Sequence, residues 1–140
     1  MRLLLDTNAL IYWATDKDML NQDVREMLED YSNLPCVSVE SLRELVVLFN
    51  NKGIVSHFWP TAYAMLKAIG TEIMVDVLPL DANVMRTYAN LRLNTAQDHR
   101  DPSDHVIISH AITLGIPLIS SDRKFPFYRS QGLELIENFK

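Results

Sequence analysis

A three-layer α/β/α sandwich around a mostly parallel sheet is the fold that this sequence predicts, and three observations predict it. Short apolar runs at Arg2–Leu5, Pro35–Val39, Val75–Leu78 and Pro117–Ser120 read as strands covered on both faces. The longer segments between them carry apolar residues at helical spacing. Gly, Pro, Asp and Asn punctuate the changes from one pattern to the other. Strands that alternate with helices imply crossover connections, and therefore parallel pairing.

In order along the chain, the strand Arg2–Leu5 runs into a helix from Thr7 that includes Leu10, Ile11 and Trp13. Asn21–Ser32 reads as an amphipathic helix with Val24, Met27, Leu28 and Tyr31 on one side and Asn21 as a cap. After Pro35–Val39, a helix is predicted over Ser38–Asn51 with Leu42, Leu45, Val46 and Phe49 on one face and Gly53 as a stop signal. Another is predicted over Trp59–Ile69, ending at Gly70. Beyond the strand Val75–Leu78, Asp81 caps a helix carrying Val84, Tyr88 and Leu91, and the polar stretch Asn94–Ser103 is a loop. The last helix spans Ser103–Leu114 with Gly115 as its C-cap; Leu133–Ile136 follows Pro117–Ser120 as a final strand at the sheet edge.

The 140 residues suffice for one substantial core and are read as a single domain over 1–140. No apolar run approaches the roughly 18 residues that a membrane helix requires. Asp6 and Asn8 break the apolar start before it resembles a signal peptide, so a cytoplasmic protein is expected. The one cysteine, Cys36, excludes an intramolecular disulfide and reads as a small core residue. A net charge of −5 argues against a surface that grips nucleic acid throughout, but leaves a nuclease open.

Four acids stand just after predicted strands or at helix starts: Asp6, Glu44, Asp104 and Asp122. Ligands of open α/β sheets bind outside the carboxyl ends of the strands, so acids gathered there would form a site for a hard cation. Each also has a local explanation. Asp6 is placed to cap the first helix. Glu44 completes a capping box with Ser41, unless Ser38 is the cap and Glu44 lies in the second turn. Asp104 follows Ser103 in a first turn favourable to anions, and Asp101 with Pro102 could equally begin that helix. Asp122 could pair at the surface with Arg123 or Lys124.

Taken together, four motifs resemble the PIN-domain ribonuclease family, and more narrowly the VapC-like toxins of bacterial toxin–antitoxin pairs. They are Leu3-Leu4-Leu5-Asp6-Thr7-Asn8, Ser38-Val39-Glu40-Ser41-Leu42-Arg43-Glu44-Leu45, Arg100-Asp101-Pro102-Ser103-Asp104-His105 and Ile119-Ser120-Ser121-Asp122-Arg123-Lys124. Their order and spacing extend the resemblance over essentially the whole chain. Ser103 departs from the family pattern Asp-Pro-Phe-Asp, where a bulky residue is usual. The resemblance implies a PIN-like fold and an endoribonuclease in which Asp6, Glu44, Asp104 and Asp122 hold the metal. Asn8 and Ser120 would orient the acids or touch the scissile phosphate, and Asp101 would be auxiliary. It also implies two protein partners, a small antitoxin and a second copy of this chain. Asn21–Ser32 and Ser38–Asn51 are the candidate interfaces.

An all-oxygen donor set favours Mg²⁺ or Mn²⁺. Substrate grip falls to Arg100, Arg123 and Lys124 beside the acids, whose other role is to balance the carboxylate charge. No His cluster is expected to converge there: His105 and His110 read as surface or packing residues, and an approach of His99 to the substrate is the less favoured of its readings. The rival from another class is a catalytically silent PIN-like module that binds RNA or protein. A receiver-like phosphoryl-transfer protein fits poorly, because a Gly-rich phosphate loop and a strand-end lysine are both missing.

Overall fold

Leu3, Leu4 and Leu5 are completely buried, and their side chains divide between two cores. Leu3 and Leu5 join one, and Leu4 joins the other, as the alternation of a strand requires. A strand buried on both faces sits in the middle of a sheet, and this computed structural model, which describes residues 1–140 apart from the side chain of Ile54, places it there. The strands are β1 (Arg2–Leu5), β2 (Leu34–Ser38), β3 (Asp76–Leu78), β4 (Leu118–Ser120) and β5 (Leu135–Glu137), in the order β3-β2-β1-β4-β5 and all parallel.

The helices form the outer layers: α1 (Thr7–Thr15), α2 (Gln22–Glu29), α3 (Val39–Asn50), α4 (Ala62–Thr71), α5 (Ala82–Asn90) and α6 (Pro102–Leu114), with 3₁₀ turns at Lys17–Met19, Ile54–His57 and Phe125–Gln131. One core gathers Leu10, Val24, Leu28, Leu45, Met65 and Ile69 from α1 to α4. The other gathers Ile107, Ile108 and Ala111 of α6 with Phe125, Tyr128 and Leu133. The chain moves from β1 outward to β3, then crosses back to β4 on the other side of β1. That reversal opens a crevice between the carboxyl ends of β1 and β4. Asp6 follows one of these strands and Asp122 the other.

Element boundaries differ from the sequence expectation where side chains take over backbone hydrogen bonds. The second helix stops at Glu29, because Asp30 accepts both the Ser32 N–H and the Ser32 hydroxyl in a local turn. Tyr31 is consequently exposed and not part of a helix. The fourth helix starts after Pro60, with Thr61 accepting the Ala64 N–H, and runs through Gly70 to Thr71. Asp101 caps α6 by accepting the Ser103 N–H at 2.9 Å, so that helix begins at Pro102. Gly115 ends it in the left-handed region at φ 65°, as expected of a C-cap. The last strand lies at the edge but two residues later than predicted, after a 3₁₀ segment that no periodicity announces. Cys36 is buried and free.

Leu4 packs among Leu118, Ile107 and Ile108 at the centre of the second core. Leu4→Ala should cost about 2–5 kcal/mol, measured as a lowered denaturant midpoint with an unchanged slope.

Candidate metal centre

Asp6 is the N-cap of α1: its Oδ1 accepts the Ala9 N–H at 2.8 Å. Its own N–H bonds the Ile119 carbonyl at 3.1 Å, joining the ends of β1 and β4. The Ser120 hydroxyl lies against its carboxyl. Ser120 also accepts the Asp122 N–H at 3.0 Å, and Asp122 Oδ1 accepts the Lys124 N–H at 2.9 Å. One short hydrogen-bonded turn after β4 thus carries Ser120 and Asp122 into the crevice.

Glu44 arrives from α3. Ser38 is the cap of this helix, its hydroxyl accepting the Glu40 N–H at 3.1 Å, which places Glu44 in the second turn and excludes the capping box. The Thr7 hydroxyl donates to Glu44 Oε1 instead, and lies 3.0 Å from Ser41 Oγ. The residue after Asp6 therefore aims Glu44. Asp104 comes from the first turn of α6, and its Oδ2 lies 3.0 Å from His99 Nε2. Candidate ligand atoms of His99, Asp104 and Asp122 all fall within 4.8 Å of one another.

The electrostatics follow from this crowding. Asp6 is 5% exposed, and desolvation, reinforced by Asp104 and Asp122, raises its pKa to about 7 against the help of Ser120 and Ala9. For Asp104, desolvation and then Asp101, Glu44 and Asp122 push the pKa up to about 8, with Lys124 opposing. Burial lowers the proton affinity of His99. Two carboxyls that resist ionisation near neutral pH, both beside further acids, form an acidic cluster whose mutual repulsion a cation would offset.

The model of the PIN domain family matches residues 3–130. The chain belongs to the PIN domain family. Its fold resembles the VapBC2 complex of Rickettsia felis bound to a promoter DNA fragment, with a TM-score of 0.71 at 20% identity over 98% of each chain. DNA-bound VapBC from Salmonella typhimurium is equally similar, at TM-score 0.71 and 22% identity over 98% of each chain. VapBC-5 from Mycobacterium tuberculosis gives 0.64 at 22% identity over 97% of this chain and 98% of the other. No curated protein matches significantly by sequence.

Within this PIN domain the remaining expected site residues separate. Ser120 stands between Asp6 and Asp122. Asn8 is exposed in the first turn of α1. Asp101 is an exposed cap that acts on the centre through its charge. Arg100 is 85% exposed and paired with Asp98 at 2.5 Å. Arg123 stacks over the Phe139 ring at 4.3 Å. Lys124 is the base whose charge reaches both Asp104 and His99.

His99 is the main correction. It is buried, contacts Asp104 and sits edge-on to His105 at 4.7 Å, so one histidine, His99, does lie beside the acids. Its position five residues before Asp104 was the available signal. Neither His105 nor His110 is at the surface. His105 Nε2 lies 3.0 Å from the His99 carbonyl, and His110 Nδ1 2.9 Å from Ser38 Oγ.

In the folded protein without metal, Asp6 and Asp104 hold protons that the unfolded chain releases near pH 3.8. More protons bound when folded means that stability falls as pH rises, from about 4 through about 8, and levels off above. Asp104→Asn removes one such group. In EDTA, its unfolding midpoint should decline less with pH than that of wild type and lie higher at the alkaline end. Equal slopes would contradict the assigned proton affinity.

Proposed function

We propose that this PIN domain is a Mg²⁺- or Mn²⁺-dependent endoribonuclease and the toxin of a toxin–antitoxin pair. The observation that carries the reading is the convergence of Asp6 and Asp104, two desolvated acids with pKa values of about 7 and 8, at the β1/β4 crevice beside Asp122 and Glu44. The donor set is oxygen-rich and suits a hard cation that keeps several waters. Asp6, Asp104, Asp122 and Glu44 are the residues to hold it; a bound cation supplies an activated water and offsets charge developing on the phosphate.

The chain's own groups do the arranging. Ala9 and Ser120 hold Asp6, Thr7 holds Glu44, and the Lys124 N–H holds one oxygen of Asp122. Asn8, exposed in the first turn of α1, is free to meet a phosphate. Lys124 provides the local positive charge for the RNA backbone, with Arg100 and Arg123 further out. Single-stranded loops of RNA are the expected target class.

The toxin role draws support from the VapBC complexes that share this fold. In this chain α3 exposes Val39, Val47 and Leu48, and a groove beside it is lined by Arg43, Glu44, Val47, Leu48, Asp101 and Ser103, with Arg43 paired to Glu40. An apolar segment with a basic residue toward Glu44 and Asp101 suits that groove, which makes α3 the better antitoxin interface. Helix α2 spends Val24 and Leu28 on the core. Homodimerisation belongs to the same reading.

Incubated with structured RNA and Mg²⁺, the protein should cleave it, and EDTA or Asp6→Asn should abolish cleavage. Activity surviving both would eliminate the metal mechanism; failure to cut any RNA while still binding it would favour the silent module. Expression should arrest cell growth, and Asp104→Asn should relieve the arrest. In thermal unfolding, Mn²⁺ at about 100 times its Kd should stabilise wild type by about 2.7 kcal/mol and Asp6→Asn far less.

A further inference from the structure

Tyr128 is completely buried, and its hydroxyl has two neighbours: it accepts the Asn94 backbone N–H at 3.1 Å and lies 2.9 Å from His99 Nδ1. A phenol has one proton to give. With Asn94 donating to its oxygen, that proton goes to Nδ1, the polar atom still beside it among the described residues. Nδ1 is then an acceptor, so the ring proton of a neutral His99 resides on Nε2, the atom 3.0 Å from Asp104 Oδ2. The other end of the contact agrees. A carboxylate holding a cation offers only lone pairs, and Nε2–H is the tautomer that can donate to it.

The proximity of His99 Nε2 to Asp104 and Asp122 also allows an opposite arrangement, in which Nε2 itself ligates the metal. Ligation requires the proton on Nδ1. Both Asn94 N–H and Nδ1–H would then point at the Tyr128 oxygen, and the buried phenol proton would have no acceptor among the described residues. The hydrogen-bond count therefore separates a ligand from an orienting donor.

We propose that His99 is a positioning residue of the metal centre: Tyr128 and the Asn94 backbone fix its Nε2–H tautomer, and that N–H holds one oxygen of Asp104 and so limits the rotation of the carboxylate that would hold the cation. The proposal rests on the metal-centre reading above. The surrounding structure holds the ring still. Phe125 packs against His99 at a centroid distance of 5.5 Å, and His105 Nε2 holds the His99 carbonyl at 3.0 Å. Asn94 is tied in turn by its side chain, which donates to the Lys124 carbonyl at 3.0 Å. The loop after α5, the start of α6 and the 3₁₀ segment after β4 thus meet at one imidazole. Partners of this kind orient a ligand and typically change metal affinity about 10–100-fold when removed.

The tautomer is read directly from the ¹⁵N shifts of the His99 ring, with and without Mg²⁺. Protonated Nε2 in the Mg²⁺-bound state is the expected result. Protonated Nδ1 there, or an Nε2 shift showing coordination, would overturn the proposal in favour of a His ligand. Mn²⁺ titration by calorimetry supplies a second readout that does not depend on cleavage. Tyr128→Phe and His99→Ala should each weaken Mn²⁺ binding about 10–100-fold. His99→Gln, whose amide N–H reaches the place of Nε2, should recover part of the loss. Equal Mn²⁺ affinity in wild type, Tyr128→Phe and His99→Ala, all folded by thermal unfolding, would refute the positioning role alone. A wild type that binds no Mn²⁺ would instead refute the metal centre on which the role rests.

Discussion

Desolvation is the largest influence on the Asp6 carboxyl, and most of the local architecture is a response to it. Asp6 ends the central strand, so both layers of helices shield it from water. The fold answers with dipoles. The first turn of α1 offers the Ala9 N–H and the positive end of a helix, and β4 brings the Ser120 hydroxyl. These are insufficient to keep the group fully ionised near neutral pH, because Asp104 and Asp122 face it. A divalent cation removes both the repulsion and much of the desolvation cost. Capping and ligation are therefore compatible roles for Asp6: Oδ1 takes the helix N–H, and lone pairs remain for another partner.

The alternation of strands and helices was legible in the sequence because it is written in local periodicity and punctuation. The junction acids were legible for the same reason, since each sits where one pattern gives way to the next. Glu44 was not: two serines offered equal caps, and its hydrogen-bond partner is Thr7, 37 residues away. Arg100 adjoins Asp101 in sequence, yet its ion pair is with Asp98, which adopts a left-handed φ of 56° at the surface. Adjacency carries no direction in a turn. His99 was underestimated because its partner Tyr128 lies 29 residues on, in a 3₁₀ segment without apolar periodicity.

The departure at Ser103 also resolves locally. Its hydroxyl donates to Glu40 Oε1 at 3.1 Å, and Glu40 pairs with Arg43 at 2.5 Å. A position that usually carries a bulky packing residue here carries a polar link from α6 to α3. The two helices that deliver Asp104 and Glu44 are held together by that bond and by His110 against the Ser38 cap. Ser103 thus exchanges apolar contact for a directional bond without displacing Asp104 from its first turn.

The charge balance bears on how a nuclease of this kind meets its substrate. The chain carries a net charge of −5, and Lys124 is the base acting directly on Asp104. On the proposed reading, RNA approaching the β1/β4 crevice without metal would meet Asp6, Glu44, Asp104 and Asp122 as like charges. Protonation lessens that repulsion only in part, and at the expense of the lone pairs that the site is built to offer. On the proposed reading, a cation therefore serves substrate binding as well as the reaction, because it reverses the sign of the field where the phosphate must sit. Substrate affinity and metal affinity are then linked properties of the same four carboxylates. A substitution that loosens Asp104 acts on both, even where it leaves the RNA-facing surface untouched.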